Sequence, residues 1–183
     1  MKAAEIKKLV MSAKSVLIWT DRQGNKWLGD GRGMYAADGS IPLNEDNVLA
    51  VLDVDKDKRE KIRCQMGPTY DERLAIEPNE EIDVRLRPIM SVYCADELIT
   101  LMVSDDNQLF GVRQSAIRPV NAKYGLAFYL RRKEGSAPWV VCFEDMFATA
   151  VLLPEPARVV ESIVQSMREA ASMEIAHYEK QDQ

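Results

Sequence analysis

Three glycines alternate in the run WLGDGRGMYAADG, at Gly29, Gly31 and Gly33. Such a run can hold phosphate, because backbone N–H groups without side chains approach an anion closely. A dinucleotide fingerprint, however, needs GxGxxG between a strand and a helix, so that the pyrophosphate rests on the helix N-terminus. Here the spacing is GxGxG, and the residues that follow, MYAADGSIP, read as strand and loop. A P-loop needs Gly-Lys-Ser/Thr, which Arg32-Gly33 does not supply. The expectation is a bulged or sharply bent strand, where glycine permits close backbone approach. Asp30 and Arg32 are the side chains such a bend would offer to a ligand.

The run DVDKDK copies the opening of a calcium loop with Asp53, Asp55 and Asp57. The copy fails where glycine should turn the loop, at Lys58, and where glutamate should close it, at Cys64. A solvated helix start is expected instead. The single histidine, His177, lies near the end of the last helical stretch. Nucleophilic triads would have to use it, and sites of two histidines are impossible within one chain. Cys64, Cys94 and Cys142 form no CxxC pair and read as buried free thiols. No cofactor, metal or catalytic set is expected. An enzyme built on carboxylates remains open, and would need a pocket holding Asp30 or two acids within hydrogen-bond reach.

Charge gives one hint. The chain carries a net charge of −5, yet residues 107–133 hold six basic side chains and no acidic one. These are Arg113, Arg118, Lys123, Arg131, Arg132 and Lys133, interleaved with Tyr124, Phe128 and Tyr129. Basic residues near aromatics on a sheet can neutralise phosphates and stack bases, so they are the candidate nucleic-acid contacts. Arg85 and Arg87 could join them. The alternative is a solvated face paired with Asp105, Asp106 and Glu134.

The elements that must position these residues are mostly strands. SVLIWT, IRCQM, IDVRLRPI, ELITLMVS, LFGVRQSAIRPV, YGLAFYLRRK, WVVCFED and MFATAVLL combine β-branched and aromatic residues with turn signals between them. In IDVRLRPI, Ile82, Val84 and Leu86 face one way and Asp83, Arg85 and Arg87 the other. A short amphipathic helix is expected at the start, with Ile6, Leu9 and Val10 on one side. Asn44 is expected to cap a helix carrying Val48, Leu49, Val51 and Leu52. The longest helix is expected from about Pro156 to Glu179. Its stripe runs through Val160, Val164, Met167, Ala171, Ile175 and Tyr178, with Ile163 widening it. No apolar run approaches the ~20 residues needed to span a bilayer. The start lacks a signal-peptide core, so a cytoplasmic address is expected.

The run LGDGRGMYAADGSIPLNEDNVLAVLDVDKDKREKI, Leu28 to Ile62, resembles uncharacterised proteins encoded in bacterial phages and prophages. It covers about a fifth of the chain and carries no functional residues over. Separately, the succession of hairpins and helices, with its ending PWVVCFEDMFATAVLLPE, is similar to a subdomain of the DNA sliding-clamp fold. That resemblance implies β-rich units whose helices face a duplex. The chain departs from it by being too short for a full clamp protomer and by an acidic last helix.

These observations lead to an α+β expectation: an antiparallel sheet of about seven to nine strands with hairpins. Helices are expected at the N-terminus, after the first hairpin and at the C-terminus. One domain, 1–183, is expected, open to division into two pseudo-repeated halves, about 1–81 and 82–183. The expected role is a non-catalytic binding protein that touches DNA or a replication partner, clamp-like in form. The alternatives are a protein that self-associates through residues 156–180, and the carboxylate enzyme. No membrane contact is expected.

Overall fold

The computed structural model describes residues 2–37, 39, 42–67, 74, 82–120, 125–132, 137–144 and 147–181, with side chains in the last helix described to residue 172. It is an α+β fold around one mixed sheet of ten strands. The first half supplies α1 (Ala3–Ala13), β1 (Ser15–Thr20), β2 (Lys26–Gly29), β3 (Gly33–Ala36), α2 (Val48–Val51), α3 (Lys56–Arg59) and β4 (Arg63–Met66). The second supplies β5 (Asp83–Cys94), β6 (Glu97–Ser104), β7 (Leu109–Arg113), α4 (Gln114–Ile117), β8 (Ala127–Arg131), β9 (Trp139–Glu144), β10 (Phe147–Leu152) and α5 (Ala157–Gln181). Across the sheet the order is β4-β1-β2-β3-β10-β9-β8-β5-β6-β7. The join between β3 and β10 makes one sheet of both halves.

The sheet is not wholly antiparallel as expected. β4 runs parallel to β1, from Ser15↔Arg63 to Ile18↔Met66. A parallel neighbour needs a crossover, and the connection through α2 and α3 supplies it. QSAI, expected as strand, instead turns into α4. The N-cap of α2 is Asn47, with no side-chain cap bond, and Asn44, the expected cap, instead closes the turn before it: its Oδ1 accepts the N–H groups of Asp46 and Asn47, at 3.0 Å each. Regular helix begins only at Val48.

Strand alternation places one row of side chains across the middle of the sheet. Ile18, Leu28, Tyr35, Ala150, Cys142, Phe128 and Leu86 stand in successive register on one face. That face is covered by Ile6 and Val10 of α1, Val48 and Leu49 of α2, and Ala116 and Ile117 of α4. The other face buries Trp27, Met34, Val141, Phe143 and Val151 with Leu74. Farther along the same face, α5 seats Val160 and Ile163 on Ile99 and Leu101 of β6. Burying these two helix side chains contributes roughly 1.5–3 kcal/mol each. Gly111 of β7 lets the seat fit closely, since a Cβ there would lie 3.0 Å from Ile99 Cγ2 and 3.2 Å from Val160 Cγ2, and these methyl groups would have to give by a few tenths of an ångström.

Pro88 lies inside β5, and the register shifts between Pro88 and Met90. Proline cannot donate to the ladder, so strands accommodate it at a bulge. The bulge leaves Ile89 56% and Met90 43% exposed, beside α5.

Candidate functional site

The glycine run is the β2–β3 bend. Asp30 N donates to Gly33 O at 3.3 Å. Asp30 Oδ1 accepts the N–H groups of Arg32 at 2.9 Å and Gly33 at 3.0 Å. A Cβ on Gly29 would lie 1.8 Å from Gly33 O, so only glycine allows the two arms to approach. The carboxylate thus occupies the N–H groups that a phosphate would use. The aspartates of DVDKDK are exposed: Asp53 pairs with Lys7 and Asp55 with Lys58. Among the described residues no group of three His, Cys, Asp or Glu side chains is placed to hold a metal.

The basic segment is divided by the fold. Arg131 is inside, with its side chain 1% exposed, in a two-pronged pair with Asp83. Nε donates to Oδ1 at 2.7 Å and Nη2 to Oδ2 at 2.6 Å. Its guanidinium also lies 5.9 Å from the centre of the Phe143 ring. Arg131 is therefore withdrawn from any surface patch, because β8 turns it to the inner face opposite Asp83 of β5. Arg132, the next residue, is exposed and donates to Gln108 at 2.8 Å and Asp106 at 3.4 Å. Arg113 donates to Glu97 and to Glu155, each at 2.6 Å, and these partners hold its proton more firmly than usual, Glu155 first. Arg118 is exposed after α4. Lys123 and Lys133 lie outside the described residues. The structure does not bring the four described arginines to one patch.

Arg113 and Arg118 instead line a cleft of about 1270 Å³ between α1, the β2–β3 bend, α4 and the start of α5. Arg32 and Arg158 line it too, and with Arg118 they have no ion pair among the described residues. Sequence reasoning missed Arg158, because nothing local marks its approach to the bend. Asp30 also lines the cleft, which the enzyme alternative requires. The acids there are engaged: Asp30 on the bend, Glu97 and Glu155 on Arg113, and Glu5 on Lys8. Ser115 Oγ donates to Glu97 as well.

The second feature is an apolar groove of about 310 Å³ between α5 and the bulged hairpin. Ile89, Met90, Leu101, Leu109, Val164 and Met167 line it, with Arg168 and Ala171. Leu109 is 40% and Met167 36% exposed. After Ile163 the helix leaves the core: residues 165–172 are all exposed, though the helix continues to Gln181. His177 is in this helix, and its side chain lies outside the described residues. The signal for this surface was present in the apolar stripe. Its extension onto β5 was not, because the bulge is a backbone event.

Of the thiols, Cys142 is buried as expected, and burial pushes its pKa well above the usual range. Cys64 and Cys94 are only partly buried. No protein-family model matches the chain, no curated protein matches it, and no solved structure matches its fold.

Proposed function

We propose that this chain is a non-catalytic interaction protein that assembles with itself through α5 and the groove beside it. One observation carries this. A 25-residue amphipathic helix is anchored by its first two turns, and its apolar stripe then runs on beside exposed Ile89, Met90 and Leu109. Exposed apolar side chains that cluster in this way mark contact surfaces. Light scattering across a concentration series tests the proposal. The expected mass rises towards twice the 20.7 kDa of one chain, and Met167→Glu returns it to one. A single-chain mass at every concentration overturns the reading.

A second reading, contact with DNA of the kind the sliding-clamp resemblance implies, now rests on the cleft rather than on the basic segment. It is supported by Arg32, Arg118 and Arg158, which line one cleft without ion pairs. Anisotropy of labelled duplex and single-stranded DNA at two salt concentrations tests it. Binding that weakens steeply with salt and with Arg118→Glu is expected, and no binding at low salt overturns it.

A further inference from the structure

The exposed part of α5 carries two opposite charges on one edge of its apolar stripe. Glu161 and Arg168 are seven residues apart, both exposed, and neither has an ion pair among the described residues. Seven residues of helix is about 10.5 Å of rise, too far for the two to pair within one chain. They flank Val164 and Met167, the stripe residues at the groove.

Two copies of one helix can meet in two ways. In a parallel pair, a position on one edge faces the opposite edge of the partner, so Glu161 and Arg168 stay apart. In an antiparallel pair, like edges face each other and the order reverses. A two-fold axis between positions 164 and 165 then sets Glu161 of each copy opposite Arg168 of the other. The same axis brings the two copies of Val164 together at its centre, with Met167 of each copy about two residues of rise, about 3 Å, beyond Val164 of the other. An isologous contact requires this reciprocity: residue i meets j, and j meets i.

We infer that the assembly is an antiparallel pair of α5 helices about this axis, closed by two Glu161–Arg168 contacts between copies. The inference rests on the self-association reading above. Exposed Ile89, Met90 and Leu109 border the same groove, so both hairpin bulges widen the apolar centre of the pair. The charges specify direction and register, and the apolar residues supply most of the affinity. The helical contact is short, about four turns or about 22 Å, so the pair is expected to dissociate on dilution.

Cysteine pairing tests it, in a background with Cys64→Ser and Cys94→Ser. Glu161→Cys with Arg168→Cys in one chain should give a covalent dimer on mild oxidation. Either cysteine alone should give none. Charge reversal supplies the second measurement. Glu161→Arg or Arg168→Glu should each weaken association by about tenfold or more, because each sets like charges opposite at two places. The double reversal should restore it to within about threefold. Efficient crosslinking by a single cysteine, or a dimer that the double cysteine variant does not trap, overturns the antiparallel register and leaves self-association standing. A chain that is monomeric at all concentrations overturns both.

Discussion

Replacing Arg131 with methionine should destabilise the fold far more than it alters any surface property. The Arg131 and Asp83 side chains are 1% and 2% exposed and share two short hydrogen bonds. Removing the guanidinium leaves a carboxylate in a site that excludes water. Breaking one side of a buried pair costs about 3–5 kcal/mol. Whole-domain stabilities are about 5–15 kcal/mol, so the loss is a large fraction of the total. For a chain of this size, each kcal/mol lowers Tm by about 2–4 °C, so a fall of at least about 6 °C is expected. Asp83→Leu should cost a similar amount. The double variant should cost less than the sum of the two, because neither member of the pair is left behind without the other. Urea unfolding of the four proteins closes this double-mutant cycle. Strictly additive losses, or an Arg131→Met protein as stable as the parent, would refute the reasoning. The companion variant Arg132→Met removes an exposed group, and should shift stability by less than about 0.5 kcal/mol.

Gly29→Ala should be among the most damaging single substitutions. The new methyl meets the backbone oxygen of Gly33, which no rotamer change can move, whereas at Gly24 nothing lies within 4 Å and only the positive φ of 86° is strained. Losses above about 3 kcal/mol are expected for the first and about 1–2 kcal/mol for the second. Equal losses in urea unfolding would remove the close-approach account of the bend. Acid should weaken the fold gradually. Glu5, Asp55 and Asp106 have their pKa values held below the usual carboxylate range, chiefly by hydrogen bonds from Lys8, Lys58 and Ser104 respectively. Lowered carboxylate values add stability that is fully present above the unfolded value, about 4, and is lost as pH falls through the folded ones. The denaturant midpoint should therefore fall below about pH 4, and less steeply in high salt. A midpoint that rises on acidification would contradict this.

The strands were legible because alternation is a local property. SVLIWT, ELITLMVS and WVVCFE became β1, β6 and β9 with the expected bounds or nearly so. The glycine run was legible as a bend for a chemical reason: the residues needed for phosphate chemistry were missing. What was not legible depended on distant partners. Nothing in LFGVRQSAIRPV announces that Tyr35, 81 residues from Ala116, fixes the α4 turn through a 2.8 Å bond from its hydroxyl to the Ala116 carbonyl. The parallel return of β4 follows from a crossover whose path local sequence does not state. Arg131 looked like a surface charge because its partner Asp83 lies 48 residues earlier.

The same periodicities explain why the fold divides the basic segment but keeps the apolar stripe of the last helix together. On a strand, consecutive side chains alternate between faces, so a run of basic residues is halved on either face before tertiary packing acts. Arg131 turned inward and Arg132 turned outward show that division at one step. In a helix, positions seven apart return to nearly the same direction, so a pattern spaced at three, four and seven survives folding intact. Val164, Met167 and Ala171 border the groove together with Arg168, as that rule requires. The β5 bulge then presents Ile89 and Met90 to the same place, although strand alternation alone would have turned these neighbours to opposite faces. An apolar surface assembled from a helical stripe and a bulge departs from the two simplest patterns of the fold. Departures of this kind are where function is most often found, because packing of the core alone would not require them.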